Sequence, residues 1–113
     1  MYAAVGTPTA KIIKALISLK AGDPESFLTA EIGGSRYDSI QAVKESNGKY
    51  HVELLRKGGN PNIFDGNKIF ALDEVEEAAA IKLFMTMLQK RDKMQMPAGF
   101  KEITTAAANN RRQ

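Results

Sequence analysis

Apolar and polar residues change their period along this chain, and each change marks an element. Ile12, Ile13, Leu16, Ile17 and Leu19 form one stripe while Lys11, Lys14 and Ser18 line the opposite side, which predicts an amphipathic helix with a face to bury. Thr7-Pro8 offers a start, with a capping hydroxyl and a proline whose missing N–H does no harm in the first turn. Gly22-Asp23-Pro24 offers a stop. From Ser26 the period shortens to two: Leu28, Ala30 and Ile32 fall on one side, Phe27, Thr29 and Glu31 on the other, as in a half-buried strand. Gly33-Gly34 turns the chain, and a second strand is predicted from Arg36 to Glu45. Ser46-Asn47-Gly48 is the strongest hairpin signal, because primed turns need the positive φ that Asn and Gly tolerate. In the third strand Tyr50, Val52 and Leu54 alternate with His51, Glu53 and Leu55. Gly58-Gly59-Asn60-Pro61 breaks the pattern, and a loop carrying Ile63 and Phe64 leads to a fourth short strand, Lys68 to Leu72.

A long helix is predicted next, from Asp73 to about Arg91. Asp73 with Glu76 three residues on resembles a capping box, and Asp73, Glu74, Glu76 and Glu77 suit the positive end of a helix dipole. Ile81, Phe84 and Leu88 form one apolar ridge, with Ala80, Leu83 and Met87 beside it as a second. One ridge can cover the sheet. The other needs the N-terminal helix or a second copy of the chain, and the expectation is a homodimer or higher homo-oligomer with Ala80, Leu83, Phe84, Met87 and Leu88 at the dimer interface. Met85, Met87, Met94 and Met96 suit a contact surface that adapts its shape. After Pro97-Ala98-Gly99 the chain turns polar, Phe100 and Ile103 being its last sizeable apolar anchors, and Thr104 to Gln113 reads as a flexible arm.

The fold expected from this pattern is α+β: a four-stranded antiparallel sheet followed by a long C-terminal helix, with an additional N-terminal helix and a polar C-terminal arm. The divisions fall at 1–25 for the N-terminal helix, 26–93 for the sheet and dimerisation helix, and 94–113 for the arm.

Composition narrows the function classes. A length of 113 residues suits one domain, and 43% hydrophobic with 26% charged residues lies outside the range of disordered chains. Sixteen Lys and Arg against thirteen Asp and Glu give a net charge of +3, which allows an anionic partner without demanding one. The absence of cysteine removes disulfides, thiol catalysis and Cys-based metal sites, and suits a cytoplasmic location. Lysines interrupt the N-terminal apolar run too often for a signal peptide, and no segment is long enough to cross a membrane. Neither Gly33-Gly34 nor Gly58-Gly59 has the spacing or the following Lys-Ser/Thr of a phosphate-binding loop. His51 is the single histidine, with Glu53 on the same strand face, and without a second ligand nearby in sequence it reads as a surface residue. A non-enzyme with no cofactor and no metal is expected.

The order of the motifs carries a further expectation. Ile32-Gly33-Gly34-Ser35-Arg36-Tyr37, Asn47-Gly48-Lys49, Val52-Glu53-Leu54-Leu55-Arg56 and Gly66-Asn67-Lys68-Ile69-Phe70-Ala71-Leu72, followed by the helix, resemble the single-stranded-DNA-binding unit of the positive cofactor four family of transcriptional coactivators. That family has bacterial and phage relatives and a similar unit in the plant Whirly proteins. The resemblance covers about half the chain. It implies a dimeric sheet surface that binds single-stranded DNA or RNA with little sequence preference, in transcription, replication or recombination, in the nucleoid or, for a phage member, the host cytoplasm. By the same resemblance the nucleic-acid-binding residues are Arg36, Tyr37, Lys49, Arg56 and Lys68, with an aromatic ring stacking on bases and cations neutralising phosphates. The competing expectation is a non-enzymatic protein-interaction module, an assembly component or inhibitor, for instance phage-encoded, that docks through the apolar helix and the chain ends. Two features favour it: residues 26–72 carry six cations against five acids, and the chain has no tryptophan where the family's pattern has one just past the matched arginine.

Overall fold

A computed structural model describes residues 1–34, 36–57, 68–93 and 95–103. Six strands form one mixed sheet in the order β1 to β6: β1 (Tyr2–Ala3), β2 (Phe27–Glu31), β3 (Tyr37–Lys44), β4 (Tyr50–Arg56), β5 (Lys68–Val75) and β6 (Lys101–Glu102). All neighbours are antiparallel except β1, which runs parallel to β2 after a crossover through helix α1 (Thr9–Ile17). Helix α2 (Glu77–Lys90) follows β5 and ends in a 3-10 turn at Arg91–Lys93.

The expected four-stranded antiparallel sheet closed by a long C-terminal helix is therefore corrected in three places. At one edge β1 is added: the Met1 amine donates to the Phe27 carbonyl at 2.7 Å and Thr29 N–H donates to the Met1 carbonyl at 2.9 Å. At the other edge Lys101–Glu102 pairs with β5, and Ile103 N–H donates to the Ile69 carbonyl at 2.8 Å, so the segment assigned above to a polar arm contains a strand. Both edges are two residues long and held by backbone bonds, so they leave no periodicity to read. The third correction is at the helix start. β5 continues to Val75, and α2 begins at Glu77 with no side-chain cap. Asp73 lies in the strand, because Val75 pairs with Tyr50 and is buried in the core. The predicted loop carrying Ile63 and Phe64 and the predicted arm Thr104–Gln113 lie outside the described residues.

Register sorts the strands into two faces. Leu28 with Ala42, Ala30 with Ile40, Ala42 with Val52 and Ile40 with Leu54 stand side by side beneath the helices. Thr29 with Gln41, Val43 with His51, Gln41 with Glu53 and Leu55 with Ile69 form the outer face. Ile12 and Leu16 of α1 and Ala80, Phe84 and Met87 of α2 enter the same core, and Ile81, Leu83 and Leu88 pack against it. Both ridges of α2 thus find neighbours inside one chain, the sheet and α1. Three of the five residues assigned above to a dimer interface, Ala80, Phe84 and Met87, are buried in their own chain, because α1 supplies the second neighbour. The segment 1–25 contributes a strand and three core side chains, Ala3, Ile12 and Leu16.

Tyr50 joins the layers. It is fully buried, and its hydroxyl oxygen lies 2.9 Å from the Leu16 carbonyl, in the last turn of α1, and 3.3 Å from Glu77 Oε1, in the first turn of α2. One proton serves these two acceptors. Burial first, then the Glu77 carboxylate, push its pKa up to about 12, so the phenol stays neutral and able to donate.

Tyr50→Phe keeps the ring and removes the link. A loss of about 1 kcal/mol in urea denaturation is expected, the worth of an ordinary buried hydrogen bond. Phe84→Ala, which removes a core ring, should cost about 3–5 kcal/mol by the same measurement.

Candidate functional site

The structure gathers four cations at one end of the strands. Tyr37 pairs with Arg56 and Arg56 with Lys68, so one row crosses β3, β4 and β5 at their shared end. Arg36 precedes that row and Lys57 follows it, with Lys57 N–H donating to the Arg36 carbonyl at 2.8 Å. Arg36, Arg56, Lys57 and Lys68 are all exposed there. Lys68 also faces Glu102 of β6 at 3.7 Å across open solvent, a pairing worth little in water.

Four of the five residues singled out from the sequence therefore come together, and Lys49 does not. It sits at the opposite end, on the β3–β4 hairpin, where its ammonium lies 3.6 Å from both Glu74 and Glu76. Tyr37, although in the right row, is 2% exposed and packed in the core. Its ring offers no face for a base. Lys57, not among the residues chosen from sequence, belongs to the cationic end by virtue of following the last residue of β4.

The hairpin end is acidic and holds the histidine. Between Tyr50 and Val52 on β4, which pair with Val75 and Leu72, β5 carries an extra residue, and Glu74 takes φ +57. This is a β-bulge, which turns side chains out of the regular alternation. It points Asp73 at His51 and Glu74 at Lys49 and Asn47. His51 Nδ1 meets the Asp73 carboxylate, while Nε2–H donates to Glu53 Oε2 at 3.0 Å. Glu45, the residue just after β3, completes the group: one carboxylate oxygen of Glu45, a ring nitrogen of His51 and a carboxylate oxygen of Asp73 all lie within 4.8 Å of one another. Residues 28 apart in sequence meet here, so only the hairpin register and the bulge reveal the group.

The electrostatics follow from this placement. The hydrogen bond to Glu53 raises the His51 pKa most; partial burial opposes it, and the hydrogen bond and charge of Asp73 raise it again, to about 9. The chain in metal-free solution carries a doubly protonated imidazole at neutral pH.

A third feature is apolar. An open groove of about 370 Å³ runs between α2 and the end of β5, lined by Leu72, Val75, Ala79, Leu83, Pro97 and Ala98, with Lys82 and Thr86 at its rim. Among the described residues no helix is long and apolar enough to cross a membrane. No protein-family model matches this chain, and no curated protein or solved structure matches it significantly.

His51 yields a pH prediction. Its folded pKa lies above the unfolded value of 6.5, so the stability it contributes is fully present below pH 6.5 and is lost as pH rises through about 9. In chelator-treated buffer the melting temperature should fall across that window, and His51→Gln should flatten that part of the profile. Glu53→Gln should move the His51 ring titration, followed by NMR, toward lower pH.

Proposed function

We propose that this protein binds single-stranded nucleic acid, with little sequence preference, through the cationic end of β3, β4 and β5. One observation carries the reading: four exposed cations, Arg36, Arg56, Lys57 and Lys68, gather at one end of β3, β4 and β5, where Glu102 stands beside Lys68, while Glu45, Asp73, Glu74 and Glu76 stand toward the end that also holds Lys44 and Lys49. Clustered cations release counterions from a phosphate backbone, and that term is independent of base sequence. A flexible single strand can adapt its phosphate spacing to these strand-end cations, whereas a duplex presents its phosphates at fixed spacing. With Tyr37 inside the core, the contact is made to phosphates rather than to stacked bases, and this departs from the family that the motif order resembles. Such a protein would work where nucleic acid is accessible, in the cytoplasm or nucleoid.

The competing role, a protein-docking module, is favoured by the apolar groove beside α2. Oligonucleotide binding separates the two. Fluorescence anisotropy with a labelled single strand should show binding at low salt, with a log–log salt slope of about −2.8 if each of the four cations neutralises one phosphate. Arg56→Gln and Lys68→Gln should each flatten that slope by about 0.7. Lys49→Gln, at the other end, should leave it unchanged. Absence of binding at low salt, or equal affinity for duplex and single strand, would overturn the reading and leave the groove as the surface to pursue.

A further inference from the structure

We infer that Glu45, His51 and Asp73 form a binding site for a divalent transition-metal cation of the Zn²⁺ class, with Glu53 as the positioning residue behind the histidine. The site stands on geometry that is independent of the nucleic-acid reading. Its three donor side chains come from adjoining segments: Glu45 from the residue just after β3, His51 from β4, and Asp73 from the bulge in β5. They converge on the outer face of the sheet, with donor atoms within 4.8 Å of one another. Ligands about 2.0–2.2 Å from a tetrahedral metal stand roughly 3.4 Å apart. Glu45 is exposed and the Asp73 side chain is 71% exposed, so rotation of these two chains closes the difference without moving the sheet.

The two imidazole nitrogens have different partners, and this assigns the ligand atom. Nε2 lies 3.0 Å from Glu53 Oε2, whereas Nδ1 faces Asp73. If Nε2 keeps its proton and donates it to Glu53, the Nδ1 lone pair points at the Asp73 carboxylate, the second donor of the group. A metal-binding histidine usually gives its second N–H to a carboxylate in this way, which fixes the tautomer and the plane of the ring. Binding exchanges the Nδ1 proton for the metal ion, and that proton leaves to solvent.

Charge and donor type select the ion. A neutral imidazole with two carboxylates balances a divalent cation, and among the described residues no Lys or Arg forms an ion pair with Glu45 or Asp73. Imidazole suits Zn²⁺, Ni²⁺ or Cu²⁺, whereas Mg²⁺ prefers oxygen donors alone. Three protein ligands leave at least one position for water in a tetrahedral site, so the centre would be open rather than closed.

Titration calorimetry of the untagged full chain with Zn²⁺ tests this, read together with NMR of the ring nitrogens. His51 is the single histidine, so every imidazole signal belongs to it. One Zn²⁺ per chain is expected, with the Nδ1 resonance moving on saturation and Nε2 remaining protonated. His51→Gln should abolish binding, and Glu53→Gln should weaken it about 10–100-fold. Glu45→Gln, at an exposed side chain, should weaken binding with no loss of fold, which keeps the test decisive if the His51 variant folds poorly. Mg²⁺ binding as tightly as Zn²⁺, Zn²⁺ affinity unchanged in Glu45→Gln, or an unmoved Nδ1 signal at saturation would overturn the proposal.

Discussion

Everything in this fold depends on covering one face of a strongly paired sheet with two short helices. A helix of nine residues and one of fourteen are marginal by themselves in water, so α1 and α2 owe their stability to the surface they bury. That surface is continuous: Leu28, Ile40, Val52 and Leu54 below, Ile12, Leu16, Phe84 and Met87 above. Tyr50 is the point where the sheet and both helices meet. Its ring is part of the apolar layer, and its hydroxyl satisfies itself on the end of α1 and the start of α2. Among the described residues no buried side-chain polar atom lacks a partner, and Tyr50 shows how that is achieved without a charge inside the core.

With one face committed to packing, function is left to the outer face and to the two ends of the strands. The same hairpin register that builds the core gathers Arg36, Arg56, Lys57 and Lys68 at one end and Glu45, Asp73, Glu74 and Glu76 toward the other, with Glu102 and Lys49 as the exceptions at each. The β5 bulge sharpens the contrast. A regular strand would place Asp73 and Glu74 on opposite faces by alternation; the extra residue lets them serve His51 and Lys49 at the same end. Under the two proposals, one end of the sheet would take anions and the other a cation. The two proposed sites share strands but not residues, so either can fail without the other.

The covered second ridge of α2 also changes what an oligomer would have to be. Since α1 already packs against α2, helix pairing between copies is not needed to finish the core. The apolar groove flanking Leu83 is what remains of that surface, and it is bounded by the chain's own Pro97 and Ala98.

Long periodic segments were legible in the sequence because burial repeats at the period of the element that causes it. The stripe from Ile12 to Leu19, the alternation from Tyr50 to Leu55, the Asn-Gly turn and the apolar ridges of α2 each record a local geometry in residue type. The two edge strands were not legible, since two residues joined by backbone bonds have no period. Nor was the start of α2: Asp73 to Glu77 suit a helix N-terminus by local chemistry, yet pairing of Val75 with Tyr50 holds the chain in the sheet past Asp73. The cationic row was half legible, as strand-end basic residues, but the burial of Tyr37 and the removal of Lys49 to the far end followed from register. The group around His51 was invisible, because Glu45 and Asp73 become its neighbours only when two hairpin pairings and one bulge bring separated residues to the same few ångströms. Local propensity is written residue by residue, whereas a site assembled across strands exists only once the long-range pairing is made.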